Sequence, residues 1–231
     1  MGGVFRRAPL TSSLILANIL AYGITVVCGG GAFSISETML VECGGLFGPL
    51  VVTRGEWWRL LSAVFLHGGP EHLGLNMVSL LIVGRMMELF FSRTVTLAIY
   101  FASGVTGFFV SLFLHPATVS IGASGAIFGL FGAIGGYALF HRERLGERFG
   151  IFMKEFGTVL GLNLILGLLI PSIDMSAHIG GVLLGFVGGY LAIRNLRVFG
   201  AFLLGTALVS VLCAFLWLPE RYMIVFTPGN F

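Results

Sequence analysis

Four side chains in this sequence have the types and spacing that acyl transfer needs. Ser124 stands in GASG (122–125), His178 in AHIGG (177–181), and His72 and Asn76 lie four apart in EHLGLN (71–76). A serine hydroxyl is a weak nucleophile until a neighbouring base takes its proton, and an imidazole suits that task near neutral pH. Attack on a carbonyl also builds an oxyanion, and each donor aimed at it is worth roughly 10²–10³ in rate. His72 and Asn76, at i and i+4, share one helix face and can both donate, as can backbone N–H groups at a helix start beside Ser124. Asp174 lies four before His178 and is expected in the loop above it, so a Ser–His dyad is expected rather than a triad. GASG is not the G-x-S-x-G elbow of α/β-hydrolases, because Ala126 fills the last position and no strand is expected before the serine.

Blander roles compete for the same residues. A serine among small residues can bond back to a carbonyl where membrane helices pack closely, and an asparagine in a span can be helix glue. A histidine at a span end can cap a loop, which suits His67 better than chemistry does. His67, His72 and Asn76 together would make a poor metal site, since no carboxylate or cysteine completes it; no metal and no cofactor is expected.

The elements that must position these residues are membrane helices. The chain has 231 residues, of which 57% are hydrophobic and 10% charged, with a mean hydropathy of +1.00. Soluble domains carry about 25% charged residues, so no water-facing surface can be built from this composition. The 35 glycines show no triplet period and lie within apolar runs, which spanning helices tolerate. Cys28, Cys43 and Cys213 have no metal or redox spacing, and spacing alone argues no disulfide between Cys28 and Cys43.

A span takes about 20 apolar residues. Spans are expected near 10–28, 72–91, 94–114, 123–140, 153–171, 175–193 and 198–218. The first follows Arg6-Arg7 and has no convincing small-x-small cleavage site after it, so it is expected to be retained. Short ends, 1–9 and 219–231, and one long loop, about 29–71, are expected outside the spans, with no soluble domain. The apolar run 60–66 is too short to cross, and the loop's Trp57, Trp58 and low charge predict a hairpin over 33–70 lying in the outer interface. Arg85 and Glu88 are expected to shorten the second span. With a cytoplasmic N-terminus, that side holds Arg6, Arg7, Arg85, Arg93, Arg142, Arg144, Arg148, Lys154, Arg194 and Arg197, against Arg54, Arg59 and Arg221 opposite. Ten against three predicts the orientation, and it explains a pI near 9.0 without nucleic acid as a partner.

Spans two, four and six then all run inward from the outer face. From Ser124 to Arg142 is eighteen residues, about 27 Å of helix, and from His178 to Arg194 sixteen, about 24 Å. The serine and the histidine therefore share a depth just inside the outer boundary. Closeness comes from glycine: His178, Gly181, Gly185 and Gly189 form one face, and Ser124, Phe128, Gly132 and Gly136 another, with Gly125 and Gly129 on the adjoining row. Small faces let backbones approach, which would bring Ser124 to His178.

At these residues the sequence resembles the rhomboid intramembrane serine protease family. The matching pieces are Trp58-Arg59, HGGPEHLGLN (67–76), GASGAIFG (122–129) and AHIGGVLLG (177–185), in the family's order across a core of about 10–195. The resemblance implies an all-α membrane protein with a rhomboid-like six-helix core, Ser124 as nucleophile, His178 as base and acid, His72 and Asn76 as oxyanion donors, and His67 as structural. Phe128 stands where some members place a tyrosine against the histidine. The span 198–218 adds a seventh helix to the family's commonest bacterial core. Trp217 is expected at the outer interface, Pro219 as the helix end, and the helix itself as peripheral. The implied function is cleavage of peptide bonds in or beside the transmembrane helices of single-span proteins, within the lipid bilayer of the cell (inner) membrane. Two rivals are a catalytically silent binder of client helices, against which the intact Ser124 and His178 speak, and a transporter. The transporter would want mid-membrane charges or inverted repeats, and neither is evident.

Overall fold

The computed structural model describes residues 8–29, 31–170, 173–220 and 222. Arg6, Arg7, Arg221, most of the 219–231 tail and the last residue of the span expected at 153–171 lie outside the described residues. The long helices are α1 (Pro9–Val27), α5 (Pro70–Phe90), α6 (Arg93–Leu114), α7 (Ser124–Phe140), α9 (Glu147–Leu169), α10 (Met175–Arg194) and α11 (Leu196–Leu216). Between α1 and α5 lie α2 (Glu37–Glu42), β1 (Leu46–Phe47), α3 (Gly48–Arg54), α4 (Arg59–Ser62) and a 3₁₀ turn, Ala63–Phe65. The remaining short elements are β2 (Val119–Ser120) and α8 (Arg142–Leu145).

Six of the long helices have the length and composition to cross a membrane, and α7 is a shorter apolar helix of 17 residues, about 26 Å. The protein is an all-α integral membrane protein that crosses the bilayer several times. Helices α6, α7 and α10 pack together at the centre, α5 lies against α7, α1 against α5, and α11 against α10. Helix α7 can be short because it hardly meets lipid: Phe140 alone among its residues is exposed.

The centre is assembled on glycine. A methyl group on Gly181, Gly185 or Gly189 of α10 would collide with the carbonyl oxygen of Gly125, Gly129 or Ala133 on α7. One on Gly132 or Gly136 of α7 would meet the carbonyl of Val182 or Phe186 in return. No hydrophobic force drives helices together in lipid, so this close van der Waals packing is what holds the pair.

Several details differ from the sequence reading. Helix α5 continues through Arg85 and Glu88 to Phe90 instead of being shortened. Glu88 turns inward, accepting from Thr11 N–H (2.7 Å), Thr11 Oγ1 (2.6 Å) and Leu10 N–H (3.3 Å), so its carboxylate caps the start of α1, with Arg93 Nε at 3.6 Å. Helix α9 begins at Glu147, six residues early, because Gly146 (φ +53°) turns the chain and Glu147 suits a first helical turn. Pro219 does not end the last helix: α11 stops at Leu216, and Pro219 sits in a further helical turn after Trp217, where a missing N–H costs nothing.

Arg59, which composition placed among outer charges, is 5% exposed. It donates to the Val41 (2.6 Å) and Gly45 (2.9 Å) carbonyls and to Glu56 (2.6 Å), gathering the first loop around one guanidinium. The run after it dips into the bundle, with Ala63 and Val64 fully buried and Val64 against Gly104 of α6. Trp57 packs on Phe215 of α11, and Ala214, Leu218 and Tyr222 form a small core with it; Tyr222 OH donates to the Leu112 carbonyl. Cys28, Cys43 and Cys213 are free thiols.

Candidate active site

Ser124 is the first residue of α7, and the chain reaches it through a stitched approach. Leu46 and Phe47 pair antiparallel with Ser120 and Val119, and the Gly122 N–H donates to the Ala63 carbonyl at 2.9 Å. Gly122 has φ +113°, and a Cβ there would stand 2.8 Å from His72 Nε2, so only glycine allows both the turn and the ring. This turn sends the chain into α7 with Ser124 half-buried at its top.

His178 is the fourth residue of α10 and is 8% exposed. Its Nε2 lies 2.8 Å from Ser124 Oγ. The Phe128 ring stacks on the imidazole at 4.3 Å and 21°. His178 Nδ1 is buried and has no hydrogen-bond partner among the described residues. For Nε2 to accept the serine proton, the ring hydrogen sits on Nδ1. Asp174 supplies no third member: it is the N-cap of α10, with Oδ1 accepting from the Ala177 N–H (3.0 Å) and Oδ2 from Ser120 Oγ (2.6 Å).

His72 and Asn76 sit one turn apart on α5, the helix that packs against α7. His72 Nε2 faces Gly122, two residues before Ser124. Asn76 is 7% exposed and donates one amide hydrogen to the His72 carbonyl at 2.9 Å, which leaves a second hydrogen on the same nitrogen. Among the described residues, neither side chain hydrogen-bonds directly to Ser124 or His178.

His67 stands in the loop before α5, 1% exposed, its ring edge-on to His72 at 5.0 Å and its Nδ1 3.2 Å from the Phe65 carbonyl. Burial, with the neighbouring His72 adding to it, pushes the His67 imidazole down to about 3, so it stays neutral. Among the described residues, no group of three histidine, cysteine or carboxylate side chains could hold a metal. Sequence reasoning missed Ser120, whose neighbours gave no signal; it singled out Arg59 in the Trp58-Arg59 piece but not its burial or its partners, which are backbone carbonyls distant in the chain.

A rhomboid domain family model matches residues 54–195, most of the bundle and all of these side chains. The chain belongs to the rhomboid family. It is 35% identical over 211 residues to rhomboid protease GluP of Bacillus subtilis, covering 89% of this chain and 39% of that protein. Putative rhomboid protease YdcA of the same organism is 34% identical over 147 residues, 63% of this chain and 72% of its own length. RHOMBOID-like protein 5 of Arabidopsis thaliana is 40% identical over 143 residues, 61% and 46% of the two chains. The chain thus spans less than half the length of several of the relatives it matches.

Proposed function

We propose that this chain is an intramembrane serine endopeptidase that cuts peptide bonds in or beside the transmembrane helices of single-span membrane proteins. One observation carries the reading: a serine hydroxyl 2.8 Å from an imidazole nitrogen, at the tops of two helices whose backbones touch. Its kinship with proteins named rhomboid proteases supports it.

In this reading Ser124 Oγ attacks the scissile carbonyl carbon while its proton passes to His178 Nε2. The carbonyl π electrons move to oxygen, and His72 Nε2–H and the free Asn76 amide hydrogen supply donors for that oxyanion. Collapse breaks the C–N bond, and His178 returns the proton to the leaving amine. Water then attacks the acyl ester with His178 again as base, releasing the new carboxylate and restoring Ser124. Phe128 holds the imidazole by stacking and donates nothing to it. Because a helix hides its carbonyls, the substrate must unwind locally, which favours small or helix-breaking residues at the cut.

The positive-inside balance orients the bundle with the start of α1 cytoplasmic and Ser124 near the outer face of the cell membrane, where water is at hand. The test is cleavage of a single-span reporter by purified protein in liposomes, with Ser124→Ala and His178→Ala expected to lose at least about 10³-fold in rate at unchanged folding. A Ser124→Ala protein that cuts at the wild-type rate removes the assignment. A wild-type protein that retains client helices and never cuts them leaves the binder reading standing instead.

A further inference from the structure

The Ser124–His178 contact has a second contact built above it, out of residues the chemistry does not use. Ser120 lies four residues before Ser124, and Asp174 lies four before His178. Ser120 Oγ donates to Asp174 Oδ2 at 2.6 Å, the short distance of a hydroxyl bound to a carboxylate. That commits the Ser120 proton, so in the 3.0 Å pair between Ser111 Oγ and Ser120 Oγ the donor is Ser111. The result is a directed chain, Ser111 to Ser120 to Asp174, with Ser111 and Ser120 at 1% and 2% exposure. Each bond polarises the next, and in so dry a place the chain is stiff. At its far end Asp174 caps α10, and its own carbonyl accepts from the His178 N–H at 3.2 Å.

The glycine packing explains why such a tie is needed. Backbone contact between α7 and α10 fixes how far apart the helices lie, but faces without side chains offer few knobs to stop one helix sliding along the other. A slide would open the 2.8 Å Ser124–His178 pair, and a displacement of about 1 Å at a reacting pair costs about 10²-fold in rate. The Ser120–Asp174 bond joins the two helices' leading segments directly and resists that slide. We infer that Ser120 and Asp174 are positioning residues that lock the axial register of the nucleophile's helix against the base's helix. Asp174 acts through the helix it caps, since its two oxygens are held by Ser120 and Ala177, not by the imidazole.

This rests on the reading of Ser124 as the nucleophile, and the test separates the two. The rate at which a fluorophosphonate probe labels Ser124 in the purified protein reads the readiness of the serine without any substrate helix; kcat and KM on the single-span reporter are measured alongside. Ser120→Ala is expected to lower labelling and kcat by about 10²-fold with KM unchanged, and Ser120→Thr, which keeps the hydroxyl, to restore most of both. Asp174→Asn keeps a good helix cap while losing the charge, and is expected to fall in the same direction by a smaller factor. Because both variants cut one tie, the double variant should be no slower than Ser120→Ala alone. Wild-type labelling in Ser120→Ala, no rescue by threonine, or losses that multiply in the double variant each overturn the proposal. If Ser120→Ala does not fold, Asp174→Asn decides, and a wild-type labelling rate there overturns it. A wild-type protein that the probe never labels removes the reading of Ser124 itself, and this inference with it.

Discussion

Helices α7 and α10 meet backbone to backbone, whereas α9 and α11 rest against the body at a few side chains. More than half of the α10 span, 56%, is buried inside the protein, against 11% of α11 and 6% of α9. Helix α9 is held at Phe156, stacked on Phe131 at 4.4 Å; α11 is held at Phe199 and by the cluster around Ala214. Hydropathy runs the other way, since α11, at 2.3, is the most apolar of the six long spans and α10, at 1.5, is among the least. In lipid an apolar surface has no reason to leave its solvent, so the greasiest helix is free to face outward. The helix with small and polar residues is the one pulled in. Burial here follows shape and hydrogen bonding more than hydrophobicity, and every candidate catalytic side chain lies on the packed side of that divide.

The contrast predicts its own largest effect. Gly185→Leu drives a side chain into the Gly129 carbonyl, and we expect a loss of well over 3 kcal/mol, seen as a protein that fails to accumulate or unfolds in mild detergent. Next come His72→Ala and Asn76→Ala, on the face of α5 turned to α7. Each is expected to raise the activation free energy by about 2.7 kcal/mol, a kcat loss of about 10²-fold, with KM and thermal stability little changed. A raised KM at constant kcat would mark them as packing residues.

Glu88→Gln probes how a largely lipid-facing helix is pinned. Losing the charge that caps α1 should cost about 2 kcal/mol in unfolding measurements and leave labelling of Ser124 intact. Acid probes the packed side. His67 binds its proton near 6.5 when unfolded but only near 3 when folded, so stability is full above 6.5 and falls as pH drops below it. Between pH 7.5 and 5.5 that group removes about 1.4 kcal/mol, and His67→Gln should reduce the loss over this range by that amount. The smallest effect is expected at Gly161 of α9 and Gly205 of α11, where a Cβ meets nothing within 4 Å. Leucine at either should shift stability by less than about 0.5 kcal/mol, and a large loss there would erase the contrast.

Much of this was legible before any coordinates. Apolar runs of spanning length define the helices, and the shared spacing of Ser124 and His178 from arginines at the far ends of their helices places them at one depth. The glycine faces were legible as patterns, though which row meets which was not: Gly181 opposes Gly125, on the adjoining row, and not Ser124's own row. What stayed hidden depends on contacts distant in sequence. Nothing near Ser120 announces Asp174, fifty-four residues away, and nothing near Arg59 announces the carbonyls of Val41 and Gly45. Helix ends were misjudged where a side chain from elsewhere or a glycine turn sets them, as at Glu88 and Gly146.

The depth at which α7 is enclosed has a consequence for the membrane around it. Bilayers differ in thickness, and a helix that lipid touches answers a mismatch by tilting or by distorting the lipid beside it. Helices α1, α9 and α11 present long apolar faces to the acyl chains and take that load. Helix α7, with Phe140 its one exposed residue, has almost no surface on which lipid can pull; α10 is held close to it by main-chain contact and tied to its approach by the Ser120–Asp174 bond. Thinning or thickening the bilayer therefore rearranges the rim and moves Ser124 and His178 as one rigid pair, so the spacing between them is insulated from the composition of the membrane that hosts the protein.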